Sequence, residues 1–127
     1  MPRMARLTLG IALDFGSKLR PLRAQLERQS ALLDAAEAAG FEMVAAGESS
    51  SPGAFHLPNA LLVLGTLAQR TRLRLCTGVA QLPAWPAWKL ALEAAQLDQL
   101  CGGRLTLGVG LGSAALQNPA SALVGRI

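Results

Sequence analysis

The sequence predicts an α/β chain of about four βα units carrying a parallel sheet, an arrangement compatible with part of a (β/α)8 barrel. Two observations lead there. Short apolar runs alternate with longer stretches of helical periodicity along the 127 residues. The runs begin near positions 6, 41, 73 and 104, about 31 to 35 residues apart, which is the length of one βα unit. Right-handed crossovers between such units give parallel strands. A doubly wound open sheet shows the same alternation, so spacing leaves the two architectures open.

The first run, Arg6–Leu13, is short and apolar and ends at Asp14-Phe15-Gly16. Pro21 then opens a helix, as proline does in a first turn, with Leu22, Leu26, Leu33 and Ala36 on one face. Gly40 ends it. Phe41–Ala46 is the second strand, followed by a loop-forming stretch from Gly47 to Gly53. A second helix begins near Leu57-Pro58 with Leu57, Leu61, Leu64 and Ala68 as its buried stripe. Leu73–Ala80 is the third strand, and Pro83 and Pro86 interrupt the chain after it. The third helix carries Leu90, Ala94, Leu97 and Cys101 on one face and stops at Gly102-Gly103. Arg104–Leu111 is the fourth strand, and a short helix is expected after Ser113.

At 51% hydrophobic and 16% charged the chain is globular, not disordered. The net charge of +4 raises the question of nucleic acid. The arginines are scattered and no run of five like charges occurs, so no nucleic-acid partner is expected. Cys76 and Cys101 are far apart without metal-ligand spacing, so no metal site is expected and reduced thiols are. The apolar N-terminal run reads as a strand, not a leader, and Leu105–Gly125 holds too many glycines and polar residues for a membrane span. A cytoplasmic protein with no membrane partner follows.

Gly108, Gly110 and Gly112 follow a strand, which invites a dinucleotide-binding reading. The spacing lacks the two residues needed before the third glycine, and the last acid is Asp98, before the motif. Glycines at a strand end otherwise let something lie close to the backbone. His56 is the only histidine, in a structural or surface setting. Glu48 closes the second strand, where barrels place functional groups, although a solvated loop carboxylate fits the same position. Trp85 and Trp88 flank Pro86 and either line a pocket or pack over the barrel mouth.

Three stretches together resemble the luciferase-like monooxygenases, which use flavin or the deazaflavin coenzyme F-420. They are Asp34–Glu48 (DAAEAAGFEMVAAGE), Leu67–Val79 followed by Leu82-Pro83, and Leu97–Arg104 (LDQLCGGR) followed by Leu107–Gly112 (LGVGLG). The resemblance covers about residues 5 to 113, while the family's chains are more than twice as long. It implies a barrel and not an open sheet, and a chain that is the N-terminal half of the barrel domain over residues 1–127. It also implies FMN or F-420 held at the carboxyl ends of the strands, with Glu48, Thr77, Gly78, Val79, Gly108 and Gly110 as the cofactor-binding residues. The family often has a non-proline cis peptide at the end of the third strand, and the matching bond is Gly78–Val79.

Several positions depart from the pattern. Many members follow the acid of the second strand with histidines, where this chain has Ser49 and Ser50. A histidine base is therefore missing, and no catalytic residue is assigned. Ser113 stands where some deazaflavin enzymes carry glutamate, Cys76 and Cys101 replace the usual glycine and serine, and Ala87 replaces a common proline. The family's phosphate contacts come mainly from later strands. The expectation is an oxidoreductase or monooxygenase acting on a small organic substrate. The alternative is a truncated, non-catalytic half-barrel or assembly module. The first and fourth strands, RLTLGIAL and RLTLGVGL, are nearly the same. Two copies pairing fourth strand to first would close an eight-stranded homodimer, although buried barrel strands also simply look alike.

Overall fold

A computed structural model describes residues 6–15, 20–49 and 57–112. Four strands, β1 (Gly10–Leu13), β2 (Met43–Ala46), β3 (Arg74–Gln81) and β4 (Leu105–Gly110), alternate with α1 (Leu22–Ala38), α2 (Ala60–Ala68) and α3 (Ala87–Leu100). A 3₁₀ turn at Leu82–Ala84 joins β3 to α3. All strands pair in parallel, in the order β1-β2-β3-β4. This sequential order settles what spacing left open. A doubly wound sheet reverses its strand order at a switch point, whereas same-handed crossovers in sequential order put every helix on one face, as in a barrel wall.

The two faces of the sheet differ in the way that arrangement requires. Leu13, Val44, Ala46, Leu75 and Thr77 are buried beneath the helices. The alternate positions, including Gly10, Ala12, Met43, Ala45 and Cys76, form the opposite, interior wall. Leu61, Val63, Leu64 and Leu67 of α2 and Leu90, Ala94 and Leu97 of α3 complete one core with those strands. The stripes expected on α2 and α3 are buried as read.

α1 departs from its expected stripe. Leu33 and Ala36 are buried, but Leu22 is 42% exposed and Gln25 and Ser30 take inward places. Each buried polar group has a backbone partner. Gln25 Nε2 donates to Arg20 O at 2.8 Å, and Ser30 Oγ donates to Leu26 O at 2.8 Å. β1 is also shorter than expected: residues 6–9 lie outside the ladder, although Leu9 O still accepts from Glu42 N. α2 starts two residues later than Pro58, at a cap where Asn59 Oδ1 accepts from Leu62 N. His56 and the expected helix after Ser113 lie outside the described residues.

Two helices end alike. After α1, Gly40 adopts φ +88°, Gly40 N donates to Glu37 O, and Phe41 N donates to Ala36 O. After α3, Gly102 N donates to Gln99 O and Gly103 N donates to Asp98 O. Both are the left-handed closure that glycine permits. Arg104 then locks this end of the sheet. Its Nε donates to Cys101 O (2.7 Å), its Nη1 to Thr71 O (2.7 Å) and Leu73 O (2.9 Å), and its Nη2 to Ala68 O (2.7 Å). One planar fork thus ties the last turn of α2, the start of β3 and the end of α3. Lysine has no such fork. Arg104→Lys is expected to lower stability by about 2 kcal/mol, measured as a fall in the urea midpoint without a change in slope.

Candidate functional site

The carboxyl ends of the strands enclose a cavity of about 480 Å³. β1 and its continuation contribute Ala12, Leu13, Asp14 and Phe15, and β2 with the residues after it contributes Ala45, Gly47, Glu48 and Ser49. Gly78 of β3 and Leu57 complete the described wall. A second cavity, about 370 Å³, runs along α1 between Arg20, Gln25, Arg28, Gln29 and Leu32 and shares Asp14 with the first. The strand-end cavity is the candidate site, because barrel chemistry gathers at that end of the strands.

The wall at Gly78 is built by a break in the β3–β4 ladder. Register is regular to Thr77↔Leu107, resumes at Ala80↔Val109, and leaves Gly78 and Val79 as a bulge between. The Gly78–Val79 peptide is cis, as the resemblance implies. A side chain at Gly78 would meet only Ala45 Cβ, at 3.6 Å, so the protein itself does not demand glycine there. The bare backbone faces the cavity.

The neighbouring glycines have internal reasons. A Cβ on Gly47 would lie 2.5 Å from Gly78 O, and Glu48 N donates to Val79 O at 3.0 Å, so β2's end presses against the bulge. A Cβ on Gly108 would lie 2.2 Å from Thr77 O, and one on Gly110 2.8 Å from Val79 Cγ2. Thr77 points into the helix layer, with no exposed surface, and its Oγ1 donates to Gly108 O at 2.7 Å. Of the six residues expected to bind cofactor, Glu48 and Gly78 therefore line the cavity. Thr77 and Gly108 clasp one another behind it, and Gly110 makes room for Val79.

Glu48 is on the wall with its carboxylate already engaged. Oε1 accepts from Ala60 N (3.2 Å), the first residue of α2, and Oε2 accepts from Gln81 N (2.7 Å) and Trp85 Nε1 (2.9 Å). An anion at a helix N-terminus is stabilised by the helix dipole as well. Trp85 is thereby fixed behind the site, while Trp88 is 67% exposed and lines neither cavity. Cys76 sits on the interior wall below Gly78, and burial pushes its thiol pKa up, which keeps it protonated at neutral pH. Ser49 stands in the cavity where a histidine was missed, and its N–H donates to Leu57 O. Asp14 was read only as the end of a strand; the signal that could have found it is its place at the carboxyl end of β1, the position that drew attention to Glu48 in β2. Among the described residues no cluster of three or more His, Cys, Asp or Glu is placed to hold a metal, and no helix is long and apolar enough to cross a membrane.

A sequential parallel sheet, helices on one face and a cavity at the strands' carboxyl ends define a section of a (β/α)8-barrel domain. The chain belongs to the luciferase-like monooxygenase family, whose sequence profile matches residues 7–121. It is 39% identical over 109 residues to the 4-hydroxyprotoasukamycin monooxygenase of Streptomyces nodosus subsp. asukaensis, a match covering 80% of this chain and 29% of that one. It is 35% identical over 83 residues to the oxygenase component of the flavin-dependent trigonelline monooxygenase of Acinetobacter baylyi, covering 65% and 23%. The fold matches the oxygenating constituent of 3,6-diketocamphane monooxygenase from Pseudomonas putida, solved with FMN, at a TM-score of 0.78 and 22% identity, over 96% of this chain and 33% of that one. It also matches monooxygenase RslO1 from Streptomyces bottropensis at a TM-score of 0.76 and 28% identity, over 95% and 37%. The chain thus spans between 23% and 37% of these relatives' lengths.

Proposed function

We propose that this chain supplies the ring-facing wall of the flavin site in a flavin-dependent monooxygenase acting on a small organic substrate. The observation that carries the reading is the bulge at Gly78–Val79, which presents bare backbone to the strand-end cavity. A flat heteroaromatic ring can approach such a surface closely. FMN is favoured over coenzyme F-420 because one relative is named as flavin-dependent and a structural neighbour holds FMN. When bound, a flavin supplies the redox and oxygen chemistry; the protein's part is to bind and orient it.

The described wall contains no lysine or arginine, and its two charged residues are Asp14 and Glu48. It therefore offers a ring site without a phosphate site. Riboflavin and FMN are expected to bind the 127-residue chain with affinities equal within about threefold, because charge-assisted phosphate contacts, about 1.5–3 kcal/mol each, are not made by this wall. Flavin fluorescence titration measures both. No saturable binding of either ligand refutes the reading.

A second reading concerns the sheet edges. β1 and β4 have no outer strand partner among the described residues, and their sequences are nearly alike. Pairing of β4 in one copy with β1 in another would cover both edges. Light scattering is expected to show a dimer at micromolar concentration, and a stable folded monomer there disposes of the idea.

A further inference from the structure

We infer that Glu48 is a positioning residue: with both oxygens taken by protein donors, its carboxylate fixes the spacing between the Gly78–Val79 bulge and Leu57, two parts of the cavity wall that come from different elements. The inference rests on the flavin-site reading above and names a residue that shapes that site. The β3–β4 ladder is interrupted at the bulge, and the β2–β3 register ends at Ala46↔Thr77. Neither neighbouring strand therefore holds Gly78 and Val79 by regular pairing. Glu48 takes over on the β2 side. Its N–H donates to Val79 O at 3.0 Å, and its Oε2 accepts from Gln81 N at 2.7 Å. One bond ends on the bulge and the other just beyond it. Gly47, one residue earlier, closes the fit, because a Cβ there would meet Gly78 O at 2.5 Å.

The same step of chain holds the other part of the wall. Glu48 Oε1 accepts from Ala60 N at 3.2 Å, at the first residue of α2. Ser49 N donates to Leu57 O at 3.0 Å, in an isolated antiparallel bridge. Gly78 and Leu57 both line the cavity. Each side is thus tied to residues 48 and 49 by one backbone bond and by one carboxylate oxygen. A carboxylate suits this place because both of its oxygens accept and neither carries a donor. Glu48 is buried, so letting go of either side would leave an N–H unpaired away from water. That makes the spacing stiff. A flat ring laid on Gly78 is sensitive to it, because a gap of about 0.5–1 Å already forfeits a quarter to a half of the dispersion contact.

Spacing and stability are separated by pairing FMN binding with amide exchange. Binding to the full chain is measured by quenching of flavin fluorescence, and exchange is followed by NMR in the same variants. Glu48→Gln is expected to weaken FMN binding at least about tenfold. Glu48→Asp keeps the charge but is one methylene too short to serve both sides, and is expected to weaken binding at least about fivefold. Arg104→Lys lowers stability from the other end of the strands, and its FMN binding is expected to stay within about twofold of wild type. In both Glu48 variants the amides of Ala60 and Gln81 are expected to exchange at least about tenfold faster relative to those of α3, a ratio that Arg104→Lys leaves unchanged. In the wild type, FMN is expected to slow exchange at Ala60 and Gln81 at least about threefold. FMN binding in both Glu48 variants within about twofold of wild type overturns the inference, as does an equal loss in Arg104→Lys. If neither Glu48 variant folds, the wild-type exchange decides, and FMN that leaves both amides unprotected overturns it. A wild type that binds no FMN refutes the flavin-site reading alone when the Glu48 variants lose protection at both amides, and refutes both when they do not.

Discussion

Gly108→Ala is expected to destabilise the chain by about 3 kcal/mol or more, although it adds a single methyl group. The added Cβ would sit 2.2 Å from the carbonyl oxygen of Thr77. That oxygen belongs to the backbone of the neighbouring strand and cannot swing aside as a side chain would. Relief requires β3 and β4 to part by more than an ångström, beside the bulge where their ladder is already interrupted. The movement would also stretch the 2.7 Å bond from Thr77 Oγ1 to Gly108 O, leaving a buried hydroxyl unpaired. Overpacking alone costs about 1–3 kcal/mol and the lost bond about 1 kcal/mol. Urea unfolding followed by circular dichroism measures the sum. Gly78→Ala is the control, because its Cβ would meet only Ala45 Cβ, at an ordinary 3.6 Å. Its stability is expected to stay within about 1 kcal/mol of wild type, while flavin binding weakens because the methyl group enters the cavity. Equal stability of Gly108→Ala and wild type would contradict the strand contact.

That contrast shows where the sequence was legible. The βα alternation, the α2 and α3 stripes and both glycine-closed helix ends are local patterns, set by residues three or four apart, and they read directly. The glycines at 78 and 108 look equivalent in sequence, as strand-end glycines beside a pocket. Gly108 is required by Thr77 O, thirty-one residues away in sequence, and no local pattern reports such a neighbour. Gly47 passed as part of a loop for the same reason, its constraint being Gly78 O on the next strand. α1 misled differently. A stripe of apolar residues assumes that burial follows hydrophobicity, but Gln25 and Ser30 are buried because backbone carbonyls satisfy them. Arg104 was visible as part of a family motif, yet its role emerged only when four carbonyls from three elements proved to converge on it.

Glu48 carries the second large effect, and its expected sign runs against chemical similarity. Glu48→Gln keeps the size of the side chain and removes its charge. The carboxylate meets three donors: Ala60 N on one oxygen, Gln81 N and Trp85 Nε1 on the other. A carboxamide has one acceptor oxygen and one donor nitrogen. Whichever way it is turned, its NH2 faces at least one N–H, so a donor is left unsatisfied in a site where Glu48 is only 8% exposed. The loss of charge-assisted bonds and the unpaired donor together give about 3 kcal/mol. Trp85→Phe removes one donor and leaves Gln81 N on Oε2, so it is expected to cost about 1 kcal/mol. Urea titrations monitored by circular dichroism rank the two variants. The Glu48→Gln chain should also show a changed indole emission, because Trp85 Nε1 loses its anionic partner. This tests the bond itself, since Trp88 is exposed and its emission reports on solvent. A Glu48→Gln protein as stable as wild type, with unaltered emission, would mean that the carboxylate does not tie β2, α2 and the end of β3 together. If the expected losses are observed, the acid at the end of β2 acts by fixing the wall on which a ligand rests.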